Sequence, residues 1–270
     1  MKVYISKILK LLLFVVIGVG IIKLNYYIFP SSIDHDNIFS LENQFFLLFK
    51  QLVICIQLTC LLYIFGVLIS KRSFITMGIC KRYWPDLTLG IAIAVLILIL
   101  SLFIYLKSFN NIYDLFTNVE KSALIFILWA IGSFLQVLYE ELLFRTWVLV
   151  ELRELCGEYA SILIGGLLFG AAHLANPQFL LLGIVNAMIV GAIFCFAFLK
   201  TQSIWMSVGL HFGWNYPKEL LTNSCWPDLG RHIESTFGTT LSVIFMWLVV
   251  ILVFKRINIY GRYTSTSEKK

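Results

Sequence analysis

The residues best suited to chemistry lie inside long apolar stretches, and the first group is YEELLFR at residues 139–145. An ionisable side chain that faces lipid is costly, so each one inside a membrane helix is a candidate functional residue. Glu141 and Arg145 are four residues apart and share one helix face, where they can form an ion pair. Glu140 lies about 100° further around the helix, on the face of Gln136, and is left as an unpaired carboxylate suited to a general base. The alternative is that these charged residues form a solvated helix end.

A second group is FGAAH at residues 169–173, which places Phe169 and His173 on one helix face. Gly166 and Gly170 form a small-xxx-small pattern that allows a neighbouring helix to approach closely. A lone histidine in such a helix is either a catalytic group or a satisfied packing residue.

The third group is HFGWN at residues 211–215, in which His211 and Asn215 share a face and can aim at one point. Such a pair could bind a metal ion or donate two hydrogen bonds. The alternative is hydrogen bonding between helices, which histidine and asparagine also provide. Across the three groups, one carboxylate, two histidines and one asparagine form a sufficient set for peptide hydrolysis, whereas His35 and His232 lie in loops and are expected to be solvated.

The elements that carry these groups must be membrane helices. Of the 270 residues 60% are hydrophobic and 13% are charged, against about 45–50% apolar residues in soluble domains. Because lipid offers the backbone no hydrogen-bond partner, the apolar runs predict an all-α, polytopic membrane protein with about eight transmembrane helices. The expected spans are 8–29, 48–70, 87–106, 124–150, 159–176, 178–199, 203–221 and 239–254. We expect a single membrane domain over residues 1–270, ending in a polar tail at 258–270.

The basic residues predict the orientation of the chain. The net charge is +6, but the Lys and Arg residues lie at the ends of apolar runs, which indicates membrane orientation and no nucleic-acid partner. Of the 21 Lys and Arg residues, 14 fall on the side of the N-terminus and 6 on the opposite side, with Arg145 inside a helix. By the positive-inside rule both termini are cytoplasmic.

Other intramembrane protease classes lack their residues here. Every aspartate falls in a loop or at a helix end, so an aspartyl dyad within the membrane is not expected. Neither His173 nor His211 is followed by glutamate, which excludes the H-E-x-x-H metal site, and the six scattered cysteines contain no Cys-x-x-Cys pair. Ser207 lies near His211 but lacks the glycine-rich setting of a rhomboid-like nucleophile.

The ordered motifs E-E-x-x-x-R, F-x-x-x-H and H-x-x-x-N resemble the CAAX prenyl protease and bacteriocin-processing family, also called CPBP or Abi. The resemblance covers a core of about residues 122–220, and Thr146 stands where the family usually has glycine after the motif arginine. It implies a water-filled cavity at which Glu140 and His173 activate a water, while His211 and Asn215 stabilise the oxyanion. Glu141, Arg145 and Phe169 would then support the site.

The resemblance also implies a glutamate-type hydrolase that needs no cofactor, although Glu140, His173 and His211 would also make a plausible zinc site. The expected partners are the lipid bilayer and a membrane-associated protein or peptide substrate, such as a lipidated protein or a small secreted peptide. Two alternatives remain open at this point: a non-catalytic immunity or interaction protein that keeps the fold, and a small-molecule transporter. No related halves are apparent, which counts against a transporter.

Overall fold

The computed structural model describes residues 2–29, 40–79, 84–106, 123–174, 181–220 and 236–256. Within these ranges every regular element is helical, and the predicted all-α class is confirmed. The helices are α1 (Lys2–Ile28), α2 (Leu41–Leu62), α3 (Trp84–Leu106), α4 (Ala123–Phe144), α5 (Trp147–Cys156), α6 (Glu158–His173), α7 (Leu181–Thr201), α8 (Ile204–Leu220) and α9 (Thr236–Arg256). The polar tail at 258–270 and the loop histidines His35 and His232 lie outside the described residues.

The described helices have the length and composition of a membrane protein. Four helical stretches are long and apolar enough to cross a bilayer: Tyr4–Ile28, Leu41–Ile69, Ala123–Cys156, which contains both α4 and α5, and Leu181–Thr201. Large apolar side chains on their outer faces are exposed, including Leu9, Val16 and Ile56. In water such a surface would drive association, so its natural surroundings are lipid.

The predicted span 124–150 is wrong in one respect, because the helix is interrupted between Phe144 and Trp147. Thr146 has φ −80° and ψ −106°, outside the helical region. Its hydroxyl donates to the Leu142 carbonyl oxygen at 2.5 Å, which satisfies one of the carbonyl groups left open where α4 ends. Helix α5 therefore begins as a separate helix at Trp147.

The predicted second span, 48–70, begins too late. Helix α2 starts at Leu41 because the Ser40 hydroxyl accepts a hydrogen bond from the Asn43 amide at 3.2 Å and caps the first turn. A π-helical turn, Tyr63–Ile69, continues α2 to Ser70. The Ser70 hydroxyl then accepts a hydrogen bond from the Trp147 indole nitrogen at 2.9 Å, which ties this end of α2 to α5.

Small residues set two close helix crossings. A Cβ atom at Gly166 would lie 2.6 Å from the Met188 carbonyl oxygen, and one at Gly170 would lie 2.9 Å from the Met188 amide nitrogen. The predicted small-xxx-small contact is therefore confirmed, with α7 as the partner of α6. A Cβ at Gly90 would similarly lie 2.7 Å from the Met206 carbonyl oxygen, where α3 crosses α8. These crossings fix the backbones of α6 and α8, which carry the two histidine motifs.

An ion-pair cluster joins α5 to two other segments at one end of the bundle. Arg72 lies 2.6 Å from Glu151 and 2.7 Å from Glu154, measured between nitrogen and carboxylate oxygen. Lys7 lies 3.1 Å from Glu154. Lys7 and Arg72 thus lie at the same end of the bundle, as the predicted topology requires of these two residues.

Candidate active site

The predicted ion pair between Glu141 and Arg145 is present and fully buried. Arg145 Nε lies 3.1 Å from Glu141 Oε2, and both side chains have an exposed fraction of 0%. The two atoms are close enough for an ion pair, but they are not aligned for a hydrogen bond. The guanidinium lies over the rings of Phe169 at 4.2 Å and Phe194 at 5.2 Å from their centroids. Aromatic faces and one carboxylate therefore surround this charge inside the protein.

His211 connects the two adjacent glutamates. Its Nδ1 atom lies 2.9 Å from Glu141 Oε1, and its Nε2 atom lies 3.8 Å from Glu140 Oε2. A carboxylate paired with arginine can only accept hydrogen bonds, so Nδ1 carries the proton in this contact. The ring also stacks on Phe194 at a centroid distance of 5.0 Å. The imidazole is thus fixed in orientation, with Nε2 directed toward Glu140.

Glu140 is not the unpaired carboxylate that the sequence suggested. Besides the approach of His211, its Oε1 atom accepts a hydrogen bond from Gln136 Nε2 at 3.3 Å. Gln136 lies one turn earlier on the same face of α4, as its spacing predicted. Helical periodicity alone could not predict the contact with His211, because that contact depends on where α8 crosses α4. The family resemblance did imply that the two residues meet.

Phe169 links the second motif to the others. His173 Nδ1 lies 2.8 Å from the Phe169 carbonyl oxygen, and the His173 and Phe169 rings are 4.9 Å apart. The Phe169 ring also lies 5.8 Å from the His211 ring and beneath the Arg145 guanidinium. A single aromatic side chain therefore contacts both motif histidines and the buried arginine.

Asn215 lies one helical turn after His211 on α8 and is half-buried. The structure brings Glu140, Glu141, Arg145, Phe169, His173 and His211 into one network of contacts. No described contact joins Asn215 to that network, and its role as a hydrogen-bond donor stays a prediction.

Sequence reasoning missed polar residues beside Glu140. The Gln51 side-chain amide donates to Gln136 Oε1 at 3.2 Å, from α2. Glu219 accepts a hydrogen bond from the Ser133 hydroxyl at 3.2 Å, between α8 and α4. One signal could have found Glu219, because it follows His211 and Asn215 at a spacing of four residues and so shares their helix face. Gln51 had no such signal, since its partner lies 85 residues away.

The residues of the possible zinc site do not form a three-ligand group. Glu140 and His211 approach each other, as described above. Among the described residues, no three His, Cys, Asp or Glu side chains are grouped so as to hold one metal ion. Three protein ligands are usual for catalytic zinc, so a zinc site at Glu140, His173 and His211 stays a prediction.

One protein-family model matches the part of the chain that carries these motifs. Residues 122–217 match the family model described as Type II CAAX prenyl endopeptidase Rce1-like. The family resemblance is confirmed for this segment. The CAAX endopeptidase-like segment contains α4 to α7 and most of α8, and with them all three motifs, whereas Gln51 lies outside it. None of the curated proteins compared with the chain matches it.

Proposed function

We propose that this protein is an intramembrane endopeptidase of the CAAX-protease type, which hydrolyses a peptide bond near the membrane surface. One observation carries the proposal: His211 lies between Glu141 and Glu140, 2.9 Å from the first and 3.8 Å from the second. The buried ion pair on one side of the His211 ring thereby orients the ring toward the Glu140 carboxylate. A histidine held in this way beside a carboxylate is typical of an acid and base pair in an active site.

The nucleophile in this proposal is a water bound at Glu140 Oε2. Oε1 already accepts the hydrogen bond from Gln136, so Oε2 is the oxygen that faces His211. His173 assists, because its Nδ1 donates to the Phe169 carbonyl oxygen and leaves Nε2 as the ring nitrogen that can accept from the water. Glu140 takes a proton from the water as its oxygen attacks the peptide carbonyl carbon.

The oxyanion formed in this step needs hydrogen-bond donors. Asn215 supplies its side-chain amide, and His211 supplies Nε2–H when the ring is doubly protonated. Glu140 then returns its proton to the leaving nitrogen, and the C–N bond breaks to give a carboxylic acid and an amine. The acid passes its proton to the amine, so a carboxylate and an ammonium group are released and Glu140 is again a carboxylate.

The substrate class follows from the position of the site within apolar helices. A membrane-associated protein or peptide can reach it, such as the C-terminal region of a lipidated protein or a small secreted peptide. We propose cytoplasmic N- and C-termini on the basis of the distribution of basic residues. The proposed reaction needs only side chains and water, and we propose that no metal ion is obligatory.

The experiment that tests the function compares membrane peptides by mass spectrometry in cells that express the wild type, Glu140→Gln or Glu158→Gln. Glu158 pairs with Lys200 at 2.8 Å near the start of α6, so its substitution is the matched control. We expect peptides that appear with the wild type and with Glu158→Gln and are lost with Glu140→Gln. Identical peptide sets in all three cell lines would instead support a non-catalytic immunity or interaction protein.

A further inference from the structure

Two glutamine side chains form a hydrogen-bonded chain that ends on the proposed catalytic carboxylate. Gln51 Nε2 on α2 donates to Gln136 Oε1 at 3.2 Å, and Gln136 Nε2 donates to Glu140 Oε1 at 3.3 Å. Gln51 is buried, and Gln136 is half-buried beside it. The chain crosses from a helix outside the family-matched segment to the helix that carries the glutamate motif.

The direction of this chain is fixed by the carboxylate. An ionised carboxylate only accepts hydrogen bonds, so Gln136 must turn its NH₂ group toward Glu140 and its oxygen toward Gln51. Gln51 must then present its own NH₂ group to that oxygen. Each amide therefore has one chemically consistent orientation, which the hydrogen bonds assign and the shape of the amide does not.

We propose that Gln136 and Gln51 are positioning residues for Glu140, an inference that rests on the proposed function. The last torsion of a glutamate side chain is broad, so the two carboxylate oxygens exchange places easily when nothing holds one of them. Gln136 holds Oε1, and Oε2 is therefore kept toward His211 Nε2. Gln51 acts one step further away, because it holds the Gln136 amide in the orientation that can donate.

A purely structural role predicts different behaviour. The same two amides could simply join α2 to α4, in which case their losses would add and would lower stability. In a positioning chain the losses do not add, since removing Gln136 also removes the hydrogen-bonded link from Gln51 to Glu140. A positioning role also lowers kcat with little change in KM, because the residues do not touch the substrate.

The test uses Gln51→Leu, Gln136→Leu and the double variant, with Gln57→Leu as the matched control. Gln57 also lies on α2 and also bonds an amide on another helix, accepting from Asn25 Nδ2 at 2.6 Å. The purified full-length variants are assayed in detergent with a library of internally quenched peptides. Rates are read on the peptides that the purified wild type cleaves, and Glu140→Gln is assayed on the same peptides. Thermal unfolding is measured on every variant.

We expect kcat to fall by about tenfold to a hundredfold in Gln136→Leu, as for a misplaced catalytic group, and by less in Gln51→Leu. The double variant should be no slower than Gln136→Leu, and Gln57→Leu should retain wild-type kcat. Additive losses, or equal losses in Gln57→Leu, would overturn the positioning role while leaving the proposed function intact. A Glu140→Gln variant as active as the wild type would overturn the proposed function, and with it this inference.

Discussion

His211 Nδ1 lies 2.9 Å from Glu141 Oε1, so the glutamate that pairs with Arg145 also holds the histidine that faces Glu140. Glu141 therefore has two contacts with different consequences. One keeps a buried guanidinium next to an opposite charge. The other selects which imidazole nitrogen carries the proton. Sequence spacing indicated only the first.

Loss of Glu141 should damage the fold first. In Glu141→Gln the fully buried Arg145 keeps its charge without a carboxylate beside it, which we expect to cost about 3–5 kcal/mol of unfolding free energy. Glu140→Gln should unfold close to the wild type, because the amide keeps the volume and some of the hydrogen bonding of the half-buried carboxylate. Thermal unfolding of both purified variants in detergent measures the difference. A less stable Glu140→Gln would mean that the roles of the two glutamates are exchanged.

The crossing of α6 and α7 should tolerate no side chain at Gly166. A Cβ there would lie 2.6 Å from the Met188 carbonyl oxygen, a backbone atom that cannot rotate away. We expect Gly166→Ala to destabilise the protein by about 1–3 kcal/mol, since the helices must separate. Gly132→Ala is the control, because a Cβ at Gly132 meets nothing within 4 Å. Equal thermal stability of the two variants would show that the helices are not in such close contact.

Much of this fold follows from local sequence rules. Apolar runs of spanning length predicted the helices, and the Gly166 and Gly170 spacing predicted a close crossing without naming its partner. The break after Arg145 was missed because neither proline nor glycine marks it. Thr146 offered a signal for this break, since it stands where the family usually has glycine. In the structure its backbone lies outside the helical region.

Sequence spacing predicted the contact within α4 but not the contacts between helices. Glu141 and Arg145 are neighbours on one helix, so their contact follows from the α-helical period. His211 reaches Glu141 from 70 residues away, and Gln51 reaches Gln136 from 85. Such contacts depend on how α2, α4 and α8 pack against each other, and the periodicity of each helix does not specify that packing.

The topology can be tested with single cysteines in a cysteine-free protein. We expect Ser267→Cys, in the C-terminal tail, to resist a membrane-impermeant maleimide in intact cells and to react after lysis. Ser31→Cys, in the first loop, should react in intact cells, because that loop is predicted on the opposite side. Strong labelling of Ser267→Cys in intact cells would reverse the proposed orientation.

Metal dependence can be tested separately from catalysis. Since the proposed reaction uses only side chains, dialysis of the purified protein against a strong chelator should leave the initial cleavage rate unchanged. Addition of zinc at micromolar concentration should not increase that rate. Loss of activity on chelation, with recovery on adding zinc, would instead assign Glu140, His173 and His211 as ligands that gather around an ion.

In the proposed reaction Glu140 acts as the general base of a peptide hydrolysis. The most direct measurement is the single-turnover cleavage rate of one identified peptide substrate by purified wild type and Glu140→Gln, each shown to be folded by thermal unfolding. We predict that the substitution lowers this rate by a factor on the order of a hundred or more, with the unfolding temperature nearly unchanged. A folded Glu140→Gln variant that cleaves the same peptide at the wild-type rate would show that Glu140 is not the general base.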